Sequence, residues 1–162
     1  GISIEDSTGD PSAPLYDLKL SVDRIRAARL AIDESGAGVV LTGRSEGFIV
    51  ERPDLPETIR RLTAYADAGA DCLFAPGLRS RNDIEAVVSA VTPRPVNVLA
   101  GSDFTTVAEL TALGVRRISV GGALARVAGT AFLEAAREIA ESGTFTKLSR
   151  AVPFADFDQQ FK

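Results

Sequence analysis

The 162 residues contain no histidine. Imidazole acid/base catalysis and a histidine-built metal centre are therefore excluded, although histidine is the usual choice for both near neutral pH. Methionine is absent as well, position 1 included. A chain that opens inside a strand pattern with no initiator reads as an internal or processed segment of something larger. The one cysteine excludes an internal disulfide and suits a reducing, cytoplasmic setting. No apolar run reaches the roughly 18–20 residues of a spanning helix and no signal peptide is visible, so no membrane partner is expected. A basic surplus is also lacking. The 18 Lys and Arg against 22 Asp and Glu leave a net charge of -4, which argues against nucleic acid as the main partner.

What is present is ordinary globular material, 45% hydrophobic and 25% charged, enough for one core. The chain opens on Gly1-Ile2-Ser3-Ile4-Glu5-Asp6, an apolar strand pattern ending in two carboxylates, followed by a turn-rich loop over 7–14. Helical periodicity follows over 16–34, with Asp17 as N-cap, Gly36 as stop and the arginines of this helix on a solvated face. Short apolar strands are expected over 38–44, 72–75, 95–99 and 117–120. Helices are expected over 57–68, 81–91, 106–113 and 123–142. Five strands, each followed by a helix, specify an α/β fold with a parallel sheet.

Two architectures fit that order. One is a complete five-stranded doubly wound sandwich. The other is the last five β/α units of a (β/α)8 TIM-type barrel, which takes about 250 residues when whole. The abrupt start favours the barrel. The expected organisation is residues 1–142 as five β/α units and 143–162 as a C-terminal tail. Phe154, Phe157 and Phe161 in that tail have the spacing of one helix face.

In a parallel sheet all strand ends of one kind open onto one rim. The C-terminal ends here carry Glu5 and Asp6, Thr42 and Arg44, Pro76 and Gly77, Asn97, and Gly121-Gly122. That set suits a small oxyanionic substrate held with a divalent cation, because carboxylates are hard oxygen ligands and arginine offers a bidentate fork. Only one of Glu5 and Asp6 can face the barrel interior, and phase with Ser3 selects Glu5. Asn97, between two valines, is either structural glue or a substrate contact. Gly121 and Gly122 could admit an anion to backbone N–H groups or simply allow close packing. Cys72, in an apolar strand, reads as core.

Ile4-Glu5-Asp6, Thr42-Gly43-Arg44, Gly69 to Phe74, Pro95 to Val98 and Leu113 to Ser119 together resemble the isocitrate lyase/phosphoenolpyruvate mutase superfamily. The resemblance implies a TIM-type barrel, Mg²⁺, and α-oxo or hydroxy carboxylate substrates processed through an enolate-like intermediate. By position, Glu5 resembles the strand-four glutamate that supports the metal through water. Arg44 resembles the strand-five arginine that grips substrate carboxylate and holds the enolate, the catalytic role. Asn97 resembles a strand-seven asparagine lining the site. Gly121 and Gly122 are expected as further substrate contacts from their own place before a helix, not from the resemblance. The main metal-binding aspartates of the family lie on strands that would precede Gly1. The resemblance also implies exchange of a C-terminal helix between subunits, hence a homo-oligomer, either tetramer or dimer.

Two departures narrow the activity. The loop over 7–14 has no cysteine, lysine or histidine, and Pro76 stands where the isocitrate lyases carry a glutamate and the mutase a histidine. Cleavage of isocitrate or 2-methylisocitrate and phosphomutase activity are thereby disfavoured. A carbon–carbon lyase or decarboxylase is the leading expectation. A phosphonate-active mutase or hydrolase relative and a non-catalytic half barrel used for association are the alternatives.

Overall fold

The computed structural model describes residues 1–162, which fall into two compact units, Gly1–Val120 and Gly121–Lys162. The first unit holds β1 (Ile2–Glu5), α1 (Leu18–Ser35), β2 (Leu41–Arg44), α2 (Leu55–Asp67), β3 (Cys72–Phe74), α3 (Arg81–Val91), β4 (Val96–Leu99), α4 (Val107–Ala112) and β5 (Arg117–Ser119). All strand pairs are parallel, and their order in the sheet is the order in the sequence.

That order decides between the two architectures. A doubly wound sheet reverses direction at a switch point, which places helices on both faces. Here nothing reverses, so right-handed crossovers send every helix to the same face. The sheet is an arc of a (β/α)8 barrel, open between β5 and β1.

Local sequence explains where the helices begin. Asp17, Asp54, Ser80 and Thr106 each accept a backbone N–H of the first turn of α1, α2, α3 and α4 in that order. Thr106 and Glu109 complete a reciprocal capping box. Gly36 closes α1 in the left-handed conformation, where a side chain would be strained. The strands are three or four residues long and the edges of the helices fall within two or three residues of the sequence expectation.

The core lies between the sheet and its helices. Leu41, Leu73, Val96 and Val98 meet Ile25, Ile32, Leu62, Ile84, Val87 and Leu110 there. Gly43 belongs to this contact: a Cβ on it would lie 2.8 Å from the Cβ of Tyr65, so α2 sits directly on β2. The arginines of α1 are not all solvated, contrary to expectation. Arg29 pairs with Asp71 at 3.0 Å and Asp33 at 2.7 Å, and Asp71 also accepts the N–H of Leu41.

The second unit holds α5 (Ala123–Ser142), a 3₁₀ turn (Thr146–Arg150) and α6 (Phe154–Gln159). None of these elements has a buried residue. Phe157 and Phe161 meet edge to face, with centroids 5.2 Å apart. No helix of the chain is long and apolar enough to cross a membrane.

Candidate functional site

Adjacent strand residues point to opposite faces, and parallel register aligns like with like. The pairings Glu5↔Arg44, Arg44↔Phe74 and Phe74↔Asn97 therefore form one row across four strands, on the face without helices. Thr42 and Cys72 form the row below it.

Arg44 is the centre of this row. Its Nε–H goes to the carboxylate of Glu46, and Glu5 Oε2 stands 3.4 Å from the same nitrogen. The guanidinium carbon lies 5.2 Å from the centroid of the Phe74 ring, within cation–π range. All contacts to protein partners use Nε or the π face. The four N–H groups on the two Nη atoms make no bond within the chain, and a guanidinium presents exactly such an edge to carboxylate or phosphonate oxygens.

Asp6 faces the other way. It is 1% exposed, and Oδ2 accepts from Arg61 Nη1 at 3.0 Å and Tyr65 Oη at 2.6 Å, both on α2. Oδ1 accepts the backbone N–H of Glu46 at 2.7 Å. Burial, then the neighbouring Asp6 charge, raise the Tyr65 phenol well above its ordinary pKa, so it stays a donor to Asp6. Asp6 is thus fully engaged under the sheet, while Glu5 remains about half exposed on the row with Arg44.

Asn97 is 2% exposed and its amide is occupied at both ends. Nδ2 donates to Ser119 at 3.0 Å, and Oδ1 accepts from Arg117 Nε at 3.1 Å. Arg117 also reaches across to Thr42 Oγ1 at 2.9 Å. These bonds make Asn97 part of a polar floor stitched across β2, β4 and β5. Cys72 lies in the same floor, and burial raises its pKa, so it remains a thiol and a poor nucleophile. Gly121 and Gly122 open the second unit, where Gly121 has φ 52° and Gly122 precedes α5 without a side-chain cap.

The loops after β1 and β2 rise from the C-terminal ends of their strands. They enclose a cavity of about 340 Å³ lined in part by Asp10, Pro14, Ile49 and Glu51, to which Arg44 and Glu5 do not contribute. The first loop is internally braced: Thr8 Oγ1 donates to the Ala13 carbonyl at 2.7 Å. The N–H and hydroxyl of Ser12 hold the Asp10 carboxyl below its usual pKa. Glu51, with φ 59°, is the one non-glycine residue at positive φ.

No group of three or more acidic, cysteine or histidine side chains clusters as a metal site would. Of the two carboxylates expected at the end of β1, only Glu5 is accessible to a cation or its water, because Asp6 is spent on Arg61, Tyr65 and Glu46. These residues do not constitute a metal centre by themselves. They fit one supporting carboxylate.

Sequence reasoning did not single out Glu46, Phe74 or Arg117. A signal for Glu46 was available: Arg44-Ser45-Glu46 places an acid two residues beyond the rim arginine, on the same side if the strand geometry continues. Phe74 and Arg117 had only their strand phase to mark them.

The phosphoenolpyruvate phosphomutase family model matches residues 1–140. An uncharacterised protein of Mycobacterium tuberculosis is 33% identical over 157 residues, 96% of this chain and 56% of the relative. An oxaloacetate decarboxylase of Bradyrhizobium diazoefficiens is 35% identical over 107 residues, 63% of this chain and 35% of the relative. Among solved structures, a candidate lyase/mutase from Burkholderia cenocepacia J2315 is 48% identical with TM-score 0.92, covering 98% of this chain and 58% of that one. Oxaloacetate acetylhydrolase in complex with 3,3-difluorooxalacetate is 25% identical with TM-score 0.81, covering 96% and 55%. Phosphonopyruvate hydrolase, solved with oxalate and Mg²⁺, is 24% identical with TM-score 0.75 over 96% and 56%, a likeness of fold. The chain spans about half the length of the first curated relatives it matches.

Proposed function

Because the chain belongs to the phosphoenolpyruvate phosphomutase family, we propose that it forms part of a Mg²⁺-dependent carbon–carbon lyase or decarboxylase for a small α-oxo or hydroxy carboxylate. The observation that carries this reading is the unpaired Nη edge of Arg44, held at a strand end on the helix-free face. In the decarboxylase form, the bond between C3 and the departing carboxylate breaks and its electron pair moves into an enolate. Carbon dioxide leaves, and a proton later returns to C3. Arg44 binds the retained carboxylate and faces the negative charge that grows on the oxygen. Such a fixed donor, placed where charge develops, is worth several kcal/mol in comparable sites, roughly 2.7–4.

Bound Mg²⁺ supplies Lewis-acid polarisation of the substrate oxygens. Within these residues Glu5 would assist through water, and the principal ligands would come from elsewhere in the protein. Asn97, already bonded to Arg117 and Ser119, belongs to the polar floor beside Arg44. The chain has no histidine and Cys72 stays a buried thiol, so proton transfer is assigned to none of these residues. Gly121 and Gly122 enter the proposal as a backbone anion contact. Self-association through the phenylalanines of the second unit, exposed at Phe154, Phe157 and Phe161, is also proposed.

The test is turnover by the natural full-length chain containing these residues. Oxaloacetate and a panel of substituted malates are offered with and without Mg²⁺. Mg²⁺-dependent cleavage is expected, and metal-independent turnover would remove the metal from the reading. A phosphonate-active relative is the second reading, favoured by the description of the matching family and by the affinity of a guanidinium for phosphonate oxygens. Turnover of phosphonopyruvate with none of the carboxylates would select it. Loss of residues 151–162 with no change in sedimentation would remove the association claim.

A further inference from the structure

We propose that Glu46 is a positioning residue for Arg44, anchored through the sheet by Asp6; the inference rests on the substrate-gripping role assigned to Arg44 above. The Glu46 side chain is 5% exposed and takes the Nε–H of Arg44. Its own backbone N–H donates to Asp6 Oδ1 at 2.7 Å. Asp6 is in turn held by Arg61 and Tyr65 at 3.0 and 2.6 Å. A continuous path of hydrogen bonds therefore runs from α2, beneath the sheet, to the rim guanidinium.

Two acids stand beside Arg44, but they are not equivalent. Glu5 is 48% exposed and 3.4 Å away, so water weakens its hold. Glu46 is buried and bonded, and its backbone cannot drift without breaking a buried bond to Asp6. Binding at Nε fixes the plane of the guanidinium and turns the Nη edge outward. Without Glu46 the side chain would pivot on Phe74 and share its donors between Glu5 and water. Glu46 touches no substrate in this arrangement; it acts through Arg44.

The test is a double-mutant cycle in the natural full-length chain, comparing wild type, Glu46→Ala, Arg44→Lys and the double variant. Two quantities are read: kcat/KM for oxaloacetate, and the affinity for oxalate by calorimetry. Glu46→Ala should lose about 100-fold in kcat/KM, the scale set by misplacing a reacting group by about 1 Å. In the Arg44→Lys background it should lose almost nothing further, because the two residues act as one unit. Glu46→Gln should recover part of the loss, since its amide oxygen still accepts from Nε. If Glu46→Ala does not fold, Glu46→Gln completes the same cycle. Additive losses, or wild-type kinetics in the Glu46 variants, overturn this inference and leave the reading of Arg44 intact. A wild type that neither turns over a carboxylate nor binds oxalate overturns the reading of Arg44 and this inference with it.

Discussion

Glu5 and Asp6 are neighbours in sequence and opposites in structure. Glu5 stands on the helix-free face of the sheet, half exposed, beside an arginine with free donors. Asp6 is buried beneath the sheet against α2, every oxygen accounted for. The difference generalises to the two faces. The helix-bearing face buries Leu41, Leu73, Val96 and Val98, and the Asp6 carboxylate on that side has both oxygens bonded. The helix-free face carries Thr42, Arg44, Asn97 and Arg117, and its polar groups are left partly open. A buried polar set is stabilising only when complete, whereas a site must keep donors unspent. The same alternation of strand residues thus divides stability from chemistry.

Substitution of Asp6 should have the largest effect on stability. Asp6→Ala leaves the buried Tyr65 hydroxyl without its acceptor and removes one of three acceptors from Arg61, which keeps Glu57 and the Tyr16 carbonyl. Breaking one side of a buried pair costs about 3–5 kcal/mol. Urea unfolding should show that loss, whereas Glu5→Ala, on the exposed side, should change the same midpoint by less than about 1 kcal/mol. Equal losses for the two would erase the distinction between the faces.

Arg44→Lys should invert that result. It keeps a positive charge for Glu46 but removes the planar fork. Turnover should fall by about 10²- to 10³-fold, the scale of deleting an oxyanion donor, with unfolding nearly unchanged. A drop in stability with normal kinetics would place Arg44 among the structural residues instead.

How much of this was legible in the sequence follows from the range of the interactions. The strands, the helices and the cap at Asp17 depend on residues a few positions apart, and local pattern carried them. The phase that separates Glu5 from Asp6 is equally local. The partners of Asp6 lie 55 and 59 positions away, and nothing near Asp6 announces them. On α2, Ile59, Leu62 and Ala66 meet the core as their helical spacing suggests, but Thr58, Arg61 and Tyr65 are buried as well. Arg61 and Tyr65 turn inward to a carboxylate just beyond β1, which hydropathy alone does not announce. The row around Arg44 was half visible: strand ends were evident and Arg44-Ser45-Glu46 offered a signal for Glu46, but Phe74 needed the register of the sheet.

Gly43→Ala probes the same boundary with a single methyl group. The new Cβ would meet Tyr65 on the helix side, so about 1–3 kcal/mol of stability should be lost. Arg44 is adjacent in sequence but points the other way, so kcat/KM should hold at temperatures where the variant is folded. Parallel loss of both would show that the two faces are mechanically coupled through the β2 backbone.

The smallest expected effect concerns pH. Burial, then the charge of Asp6 and the bond to it, raise the Tyr65 pKa above the ordinary tyrosine value near 10. A folded-state pKa raised in this way contributes stability that is fully present below about pH 10 and is lost as pH climbs through the folded value. Unfolding midpoints should therefore fall on the alkaline side, and tyrosinate absorbance should appear in step with unfolding. Tyr65→Phe removes the ionisable group but leaves Arg61 on Asp6. It should cost about 1 kcal/mol at neutral pH and abolish the tyrosine-linked part of the alkaline fall. Because Tyr65 belongs to the helix-bearing face, kcat/KM at neutral pH should stay at the wild-type value. An alkaline fall unchanged in Tyr65→Phe would show that this hydroxyl is not what ties α2 to β1.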